Sequence, residues 1–264
     1  MACGVKKIGK ALVLRLLLAV ACIAPGCSPK TEQAQDAEAY LRSKGYSRAP
    51  QIEAIVPDDA GNVTASGRAA PDGRVRFLYG GQRAIGVTAD SKGRFKADLP
   101  VGGQGELFDV SVDDGGRLMQ AEGRLFVPPS NPQKAVMLRP GLPSQPVHGD
   151  ADPISILDFD NTGALVLTGK VAPRTEVTLG VDGQGITTAT SDATGLYYMQ
   201  VHVAPPAAGA KISLNVQAGS VNAQRAFDFS PADPKAGDRI TPADSGWRVD
   251  WVLPGGGMQT TVVF

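Results

Sequence analysis

The chain has 264 residues, of which 26 are basic and 26 are acidic, so its formal net charge is zero. Residues 1–26 contain four of the basic residues and none of the acidic ones, which leaves 22 basic against 26 acidic residues and a net charge of −4 in the remainder. A mildly acidic chain without a basic run cannot neutralise phosphates, which excludes nucleic-acid binding. The three cysteines, Cys3, Cys22 and Cys27, all precede the body of the chain, which excludes internal disulfides, cysteine-ligated metals and a cysteine nucleophile there.

The N-terminus is typical of a secretory signal peptide. Four basic residues precede or flank the apolar run Leu16–Ala24, whose nine residues are too few to cross a hydrocarbon core that needs about 20 in a helix. The run leads into Ala-Pro-Gly-Cys-Ser at residues 24–28, which resembles a bacterial lipobox. The resemblance implies a lipoprotein signal peptide over residues 1–26 and lipid attachment at Cys27. Ordinary cleavage without lipid, or attachment at Cys22, are the alternatives.

The lipid would place the protein in the cell envelope. Ser28 follows Cys27, and a residue other than Asp at that position resembles the sorting pattern for the outer membrane, so we expect a protein anchored there and facing the periplasm. Residues 27–50 are polar and are predicted to be a tether.

An internal repeat organises the rest of the chain. VTASGRAAPDGRVRF at residues 63–77 aligns with LVLTGKVAPRTEVTL at residues 165–179, an offset of 102 that persists without a gap to the turns starting at Asp90 and Asp192. Apolar residues alternate with polar ones in both copies, and turn residues recur every 8–12 positions, which predicts short strands in a β-sandwich. The fold class is therefore all-β, with two tandem immunoglobulin-like domains.

The predicted boundaries follow from the repeat. Domain 1 spans residues 51–127 and domain 2 spans residues 153–230, separated by a Pro-rich connector at 128–152 in which AVMLRP can add an edge strand to domain 1. The pattern G-x-x-x-P-x-x-x-V followed by D-x-x-G-x-(F/Y) resembles bacterial Ig-like modules of envelope and surface proteins. That resemblance implies a non-catalytic spacer, adhesion or binding module whose partner is an envelope protein or a glycan.

One decapeptide points elsewhere. ISILDFDNTG, at residues 154–163, resembles the nucleophile strand of the haloacid-dehalogenase phosphatases, with Asp158 as the nucleophile. The repeat places Asp158 on Val56 of the first copy, and the sequence downstream predicts hairpins, not the crossover helices that a parallel sheet needs. We therefore interpret the motif as a strand end and turn, and expect no enzyme.

The same acidic residues raise the question of a metal. We expect no metal or other cofactor, because an EF-type calcium loop beginning at Asp158 would have Gly169 where its bidentate Glu belongs. A loose calcium site between the domains that uses Asp150, Asp152, Asp158 and Asp160 is the alternative.

The C-terminus, residues 231–264, is predicted to be a hairpin extension. Trp247, Val249 and Trp251 alternate with polar residues, and Pro254-Gly-Gly-Gly then turns the chain into a last strand. The apolar face is predicted to complete the core of domain 2. The alternative is an exposed aromatic platform at Trp247 and Trp251 for a partner, which would suit an accessory subunit of an envelope machine.

Overall fold

The structure is a computed structural model that describes Ala37, Tyr40, Leu41 and residues 43–264, apart from 59–61, 150, 205, 206, 208 and 234. The predicted signal peptide and Cys27 lie outside the described residues. Residues 47–264 form one compact unit. Among the described residues, no helix is long and apolar enough to span a membrane.

Domain 1 is a sandwich of two antiparallel sheets. Its strands are β1 (Gln51–Pro57), β2 (Val63–Arg68), β3 (Arg74–Tyr79), β4 (Arg83–Thr88), β5 (Arg94–Leu99), β6 (Glu106–Asp114) and β7 (Arg117–Val127). One sheet has the order β1-β2-β5, and the other contains β4-β3-β6-β7. The period-2 pattern explains the core, because alternate residues such as Val75 and Phe77 point inward and are fully buried while their neighbours are exposed.

The Pro-rich connector is part of domain 1. After a 3₁₀ turn at Pro132–Lys134 it forms β8 (Val136–Leu138), which pairs with β7, and β9 (Gln145–Pro146), which pairs with β8. The second sheet therefore has six strands, in the order β4-β3-β6-β7-β8-β9. The sequence predicted the first of these strands but not the second, which is only two residues long and contains a proline.

Domain 2 repeats the arrangement of domain 1. Its strands are β10 (Ile156–Phe159), β11 (Ala164–Lys170), β12 (Glu176–Val181), β13 (Gln184–Thr190), β14 (Leu196–His202), β15 (Ala210–Ala218) and β16 (Val221–Phe229). The sheet β13-β12-β15-β16 corresponds to β4-β3-β6-β7, and β14-β11-β10 corresponds to β5-β2-β1. The predicted pair of immunoglobulin-like sandwiches is confirmed.

The offset of 102 changes at one strand. Phe77 pairs with Val110 in domain 1, but Leu179, its counterpart, pairs with Val216, which is 106 residues after Val110. Continued to this strand, the offset of 102 matches Val110 with Ile212, and that match is wrong by four residues. A shift by an even number of residues keeps every side chain on its own face of the sheet. The match at 102 and the match at 106 therefore both predict a buried row of side chains in this strand.

The C-terminal extension has three strands, not two. They are β17 (Arg239–Ala243), β18 (Gly246–Val252) and β19 (Met258–Val263). Strand β19 pairs with β10, so the extension enlarges the first sheet of domain 2 to the order β14-β11-β10-β19-β18-β17. The outermost strand, β17, contains Pro242 and was not predicted.

The two six-stranded sheets pack against each other and join the domains. Their contact is an apolar cluster of eight buried residues, which we call the seam: Leu107, Phe126, Val136, Leu138, Ile156, Val249, Trp251 and Val263. The first four come from domain 1 and the other four from domain 2. Polar contacts flank the seam, including an ion pair between Arg124 Nη1 and Asp238 Oδ2 at 2.7 Å.

Candidate functional site

Asp158 lies in a strand at the centre of the domain junction. Strand β10 pairs antiparallel with both neighbours, β11 and β19, so the parallel sheet of the phosphatase fold is absent around it. Asp158 has the same register in domain 2 as Val56 has in domain 1, which confirms the match made from the sequence. Val56 is 56% exposed, whereas Asp158 is 3% exposed, because β19 and the connector cover this part of domain 2.

The carboxylate of Asp158 joins three segments of the chain. Ser144 of the connector donates its backbone N–H to Oδ2 and its hydroxyl to Oδ1, both at 2.8 Å. Thr261 of β19 donates to Oδ1 at 2.6 Å. Burial raises the pKa of Asp158, and the hydrogen bonds oppose that rise. The residue is therefore a structural hub, which corrects its interpretation as turn chemistry.

Asp160 does occupy the predicted turn. Its Oδ1 accepts hydrogen bonds from the backbone N–H and the hydroxyl of Thr162, at 2.8 and 2.6 Å. Within the part of the chain that the structure describes, no three His, Cys, Asp or Glu side chains cluster as metal ligands. Asp150, which the calcium hypothesis also included, lies outside the described residues, and among the described ones Asp158 and Asp160 have no third His, Cys, Asp or Glu beside them.

Trp251 lies in the seam, fully buried. Its Nε1 donates to Thr261 Oγ1 at 3.1 Å, and the same hydroxyl donates to Asp158. The face that carries Val249 and Trp251 thus packs against domain 1, which corrects the prediction that this face completes the core of domain 2; the opposite face of β19 does contribute Val262, and the following Phe264, to that core. The reason is that β19 pairs with β10, at the edge of the first sheet of domain 2. The face that carries Trp251 therefore continues the face of that sheet that is directed away from the core of domain 2. Trp247 is half-buried at the margin of the seam, where it remains accessible.

The polar face of β18 is buried as well. Asp250 accepts from Arg248 Nη2 at 2.8 Å, from Arg239 Nη2 at 3.0 Å and from Thr260 Oγ1 at 2.8 Å. Arg239 comes from β17, Arg248 from β18 and Thr260 from β19, so the cluster links all three strands of the extension. Alternation in the sequence predicted a polar face but could not show that its charges are paired.

A groove of about 500 Å³ opens beside Asp158. The exposed face of β10, β11 and β14 forms its floor, the connector loop 141–143 forms one wall, and the loop before β19 forms another. Its lining includes Leu142, Asn161, Tyr198, Gln200, Met258 and Gln259. A cavity of this size at a domain junction, with apolar walls and convergent polar groups, is typical of a small-ligand site.

Tyr198 is held at the rim of this groove by the connector. Its hydroxyl accepts a hydrogen bond from Gln145 Nε2 at 2.7 Å, and burial raises its pKa. Neither Tyr198 nor Gln200 was predicted from the sequence to be a site residue. The repeat does distinguish these two positions from their counterparts in domain 1. The residues 102 positions earlier are Lys96 and Asp98, so an aromatic and an amide side chain replace two charged ones.

No family model matches the chain, and no curated protein matches it. Among solved structures, the chain is similar to the central fibronectin-III array of RIM-binding protein, with 11% identity and a TM-score of 0.26 over 82% of this chain and 89% of that one. It is also similar to a Ca²⁺-stabilized adhesin with which an Antarctic bacterium binds ice, with 15% identity and a TM-score of 0.23 over 83% of this chain and 66% of that one. Scores this low carry no argument about function, so the fold assignment rests on the strands and their pairing.

Proposed function

We propose that this protein is a non-catalytic, lipid-anchored component of a bacterial cell envelope, built from two bacterial Ig-like domains that present the groove to a partner or ligand. The observation that carries the proposal is the seam, which makes the two domains one body. Domains in a chain normally move relative to each other unless a large apolar interface joins them. Eight buried apolar residues and the Asp158 hub supply such an interface, so the groove keeps its shape.

The anchor is proposed on the sequence around Cys27. Lipoprotein modification adds several acyl chains, and at about 0.8 kcal/mol per buried CH₂ these hold a protein stably on a membrane. The outer membrane, facing the periplasm, is the proposed location.

A non-catalytic role is supported by the state of the groove carboxylates. Both oxygens of Asp158 already accept hydrogen bonds from Ser144 and Thr261. Hydrolysis of glycosides typically needs two free carboxyl groups, one as acid and one as base or nucleophile. Because the carboxylate of Asp158 is already hydrogen-bonded within the fold, Asp160 has no second free carboxyl group beside it on this strand.

Substitution of Cys27 tests the anchor. Cys27→Ser is expected to release the protein from the membrane pellet into the aqueous phase of a detergent partition, and to remove the acyl mass from the N-terminal peptide. Cys22→Ser is the matched control and is expected to keep both. Membrane retention of Cys27→Ser together with release of Cys22→Ser would assign the lipid to Cys22, and retention of both variants would refute lipid anchoring.

A second candidate function is that of an accessory subunit that docks through the extension. The half-buried position of Trp247, beside a shallow depression that Pro128 and Lys134 also line, favours it. Trp247→Ala would then abolish association with an envelope complex, while Val252→Ala, at an exposed position of the same strand, would not. Equal association of both variants would remove this candidate.

A further inference from the structure

The groove combines the ring of Tyr198 with several amide side chains. Tyr198 lies on β14 together with Gln200, Asn161 lies in the turn after β10, and Gln259 lies in β19. An amide group both donates and accepts hydrogen bonds, and an aromatic ring offers a flat apolar surface. These are the properties that match a ligand with hydroxyl groups around its edge and C–H groups on its faces.

Charge narrows the class of ligand. The described residues that line the groove include no Lys, Arg or His, so the lining itself offers no cationic side chain to an anionic ligand such as a phosphate or a carboxylate, and the cation that acts on Tyr198 from outside the lining is Arg139. The acidic residues of the lining are Asp158 and Asp160, and donors from Ser144, Thr261 and Thr162 already engage them. Because these carboxylates have partners within the chain, a cationic ligand would gain little from them. An uncharged ligand fits the lining best.

The first domain provides an internal comparison. The register of β2 with β5 is the same as that of β11 with β14, so Lys96 and Asp98 occupy the positions of Tyr198 and Gln200. In domain 1, Asp98 accepts a hydrogen bond from Thr64, and Thr64, Lys96 and Asp98 belong to an outward face with a pattern usual for solvent contact. In domain 2 the corresponding face has lost both charges and has gained two walls, from the connector and from the extension.

We propose that the groove binds an uncharged saccharide, with a sugar ring against Tyr198 and its hydroxyl groups hydrogen-bonded to Gln200, Asn161 and Gln259. This inference deepens the proposed function and rests on it for the binding role of the groove. The seam keeps the floor and both walls in fixed positions, so little ordering would be needed on binding.

The experiment uses the mature, lipidated chain in detergent and a panel of oligosaccharides of defined charge. Neutral probes are cellotriose, maltotriose and the trimer of N-acetylglucosamine. The glucosamine trimer is the cationic probe with the same backbone, and trigalacturonate is the anionic one. Binding is measured by calorimetry. We expect at least one neutral trimer to bind and both charged trimers to bind at least about tenfold more weakly, which corresponds to about 1.4 kcal/mol.

Matched variants locate the binding. Gln200→Ala, at an exposed position, is expected to weaken binding about tenfold, the effect of one or two lost hydrogen bonds. Asp98→Ala, at the equivalent position of domain 1, is expected to leave it unchanged. Tyr198→Ala should lose binding while Tyr198→Phe, which keeps the ring, should retain it.

Three results would overturn the inference: no binding of any neutral trimer, tighter binding of a charged trimer, or equal effects of Gln200→Ala and Asp98→Ala. Thermal unfolding of each variant checks that the fold persists. Failure here is distinguishable from failure of the anchor, because release of Cys27→Ser from membranes does not depend on any saccharide.

Discussion

Replacement of Trp251 by alanine tests the seam most directly. The indole ring is fully buried between the two six-stranded sheets, where it contacts apolar residues from both domains. Truncating a buried aromatic side chain to alanine costs about 3–5 kcal/mol, because transfer energy is lost and a cavity remains. The lost hydrogen bond from Nε1 to Thr261 adds little, since that hydroxyl still donates to Asp158. We therefore expect a loss of about 3–5 kcal/mol in the free energy of unfolding.

Urea denaturation followed by far-ultraviolet circular dichroism measures this loss by linear extrapolation. Trp247→Ala is the control, because it removes the same side chain from a half-buried position at the margin of the seam. Trp247→Ala should lower the free energy of unfolding by a clearly smaller amount than Trp251→Ala. Trp251→Ala should also uncouple the two domains, so that the single unfolding transition becomes two.

A loss below about 1 kcal/mol for Trp251→Ala would be close to the effect of an ordinary surface substitution. Such a result would refute the packing of the domains through the seam. So would equal losses for the two tryptophans, since burial is the main difference between them.

Two further substitutions test other features of domain 2. Because burial raises the pKa of Asp158, the folded protein holds that proton more tightly than the unfolded chain, so the contribution of this one group to stability is full below about pH 4 and declines as pH rises through the raised pKa. Asp158→Asn should lack this decline in melting experiments from about pH 3 to about pH 8, and parallel profiles for both proteins would contradict it. Gly169→Ala would place a Cβ 2.1 Å from the carbonyl oxygen of Pro153. This clash can be relieved only by a shift of the backbone, so we expect a loss of about 1–3 kcal/mol in the free energy of unfolding. Gly185→Ala, with no atom within 4 Å of the added Cβ, should change stability by less than about 0.5 kcal/mol, and equal effects at both glycines would refute the close approach.

The repeat predicted the parts of the fold that depend on local sequence. Asp90 and Asp192 start the same turn in each domain, and each carboxylate accepts backbone N–H groups two and four residues later. The pKa of Asp90 is lowered chiefly by the backbone N–H of Arg94, and the pKa of Asp192 is lowered chiefly by the hydroxyl of Thr194. Turn chemistry of this kind is visible in sequence because donor, acceptor and glycine lie within a few residues.

Long-range packing was not predictable in the same way. The Pro-rich connector was expected to separate the two domains, yet its residue Ser144 donates hydrogen bonds to Asp158 in domain 2. Likewise, the pattern around Trp251 predicts a buried face but does not tell which domain covers it. Both features depend on which edge of the sheet the extension joins, and neither period nor composition encodes that choice. The groove was missed for the same reason, since its walls come from segments distant in sequence.

The two enlarged sheets end in similar strands. The last strand on the connector side, β9, contains Pro146, and the last strand of the extension, β17, contains Pro242. Proline has no N–H group to offer a neighbouring strand, and natural proteins use it to cap exposed edges. Addition of a strand from another molecule is thus hindered at both borders, so crowding of the molecules would not drive edge-to-edge polymerisation there.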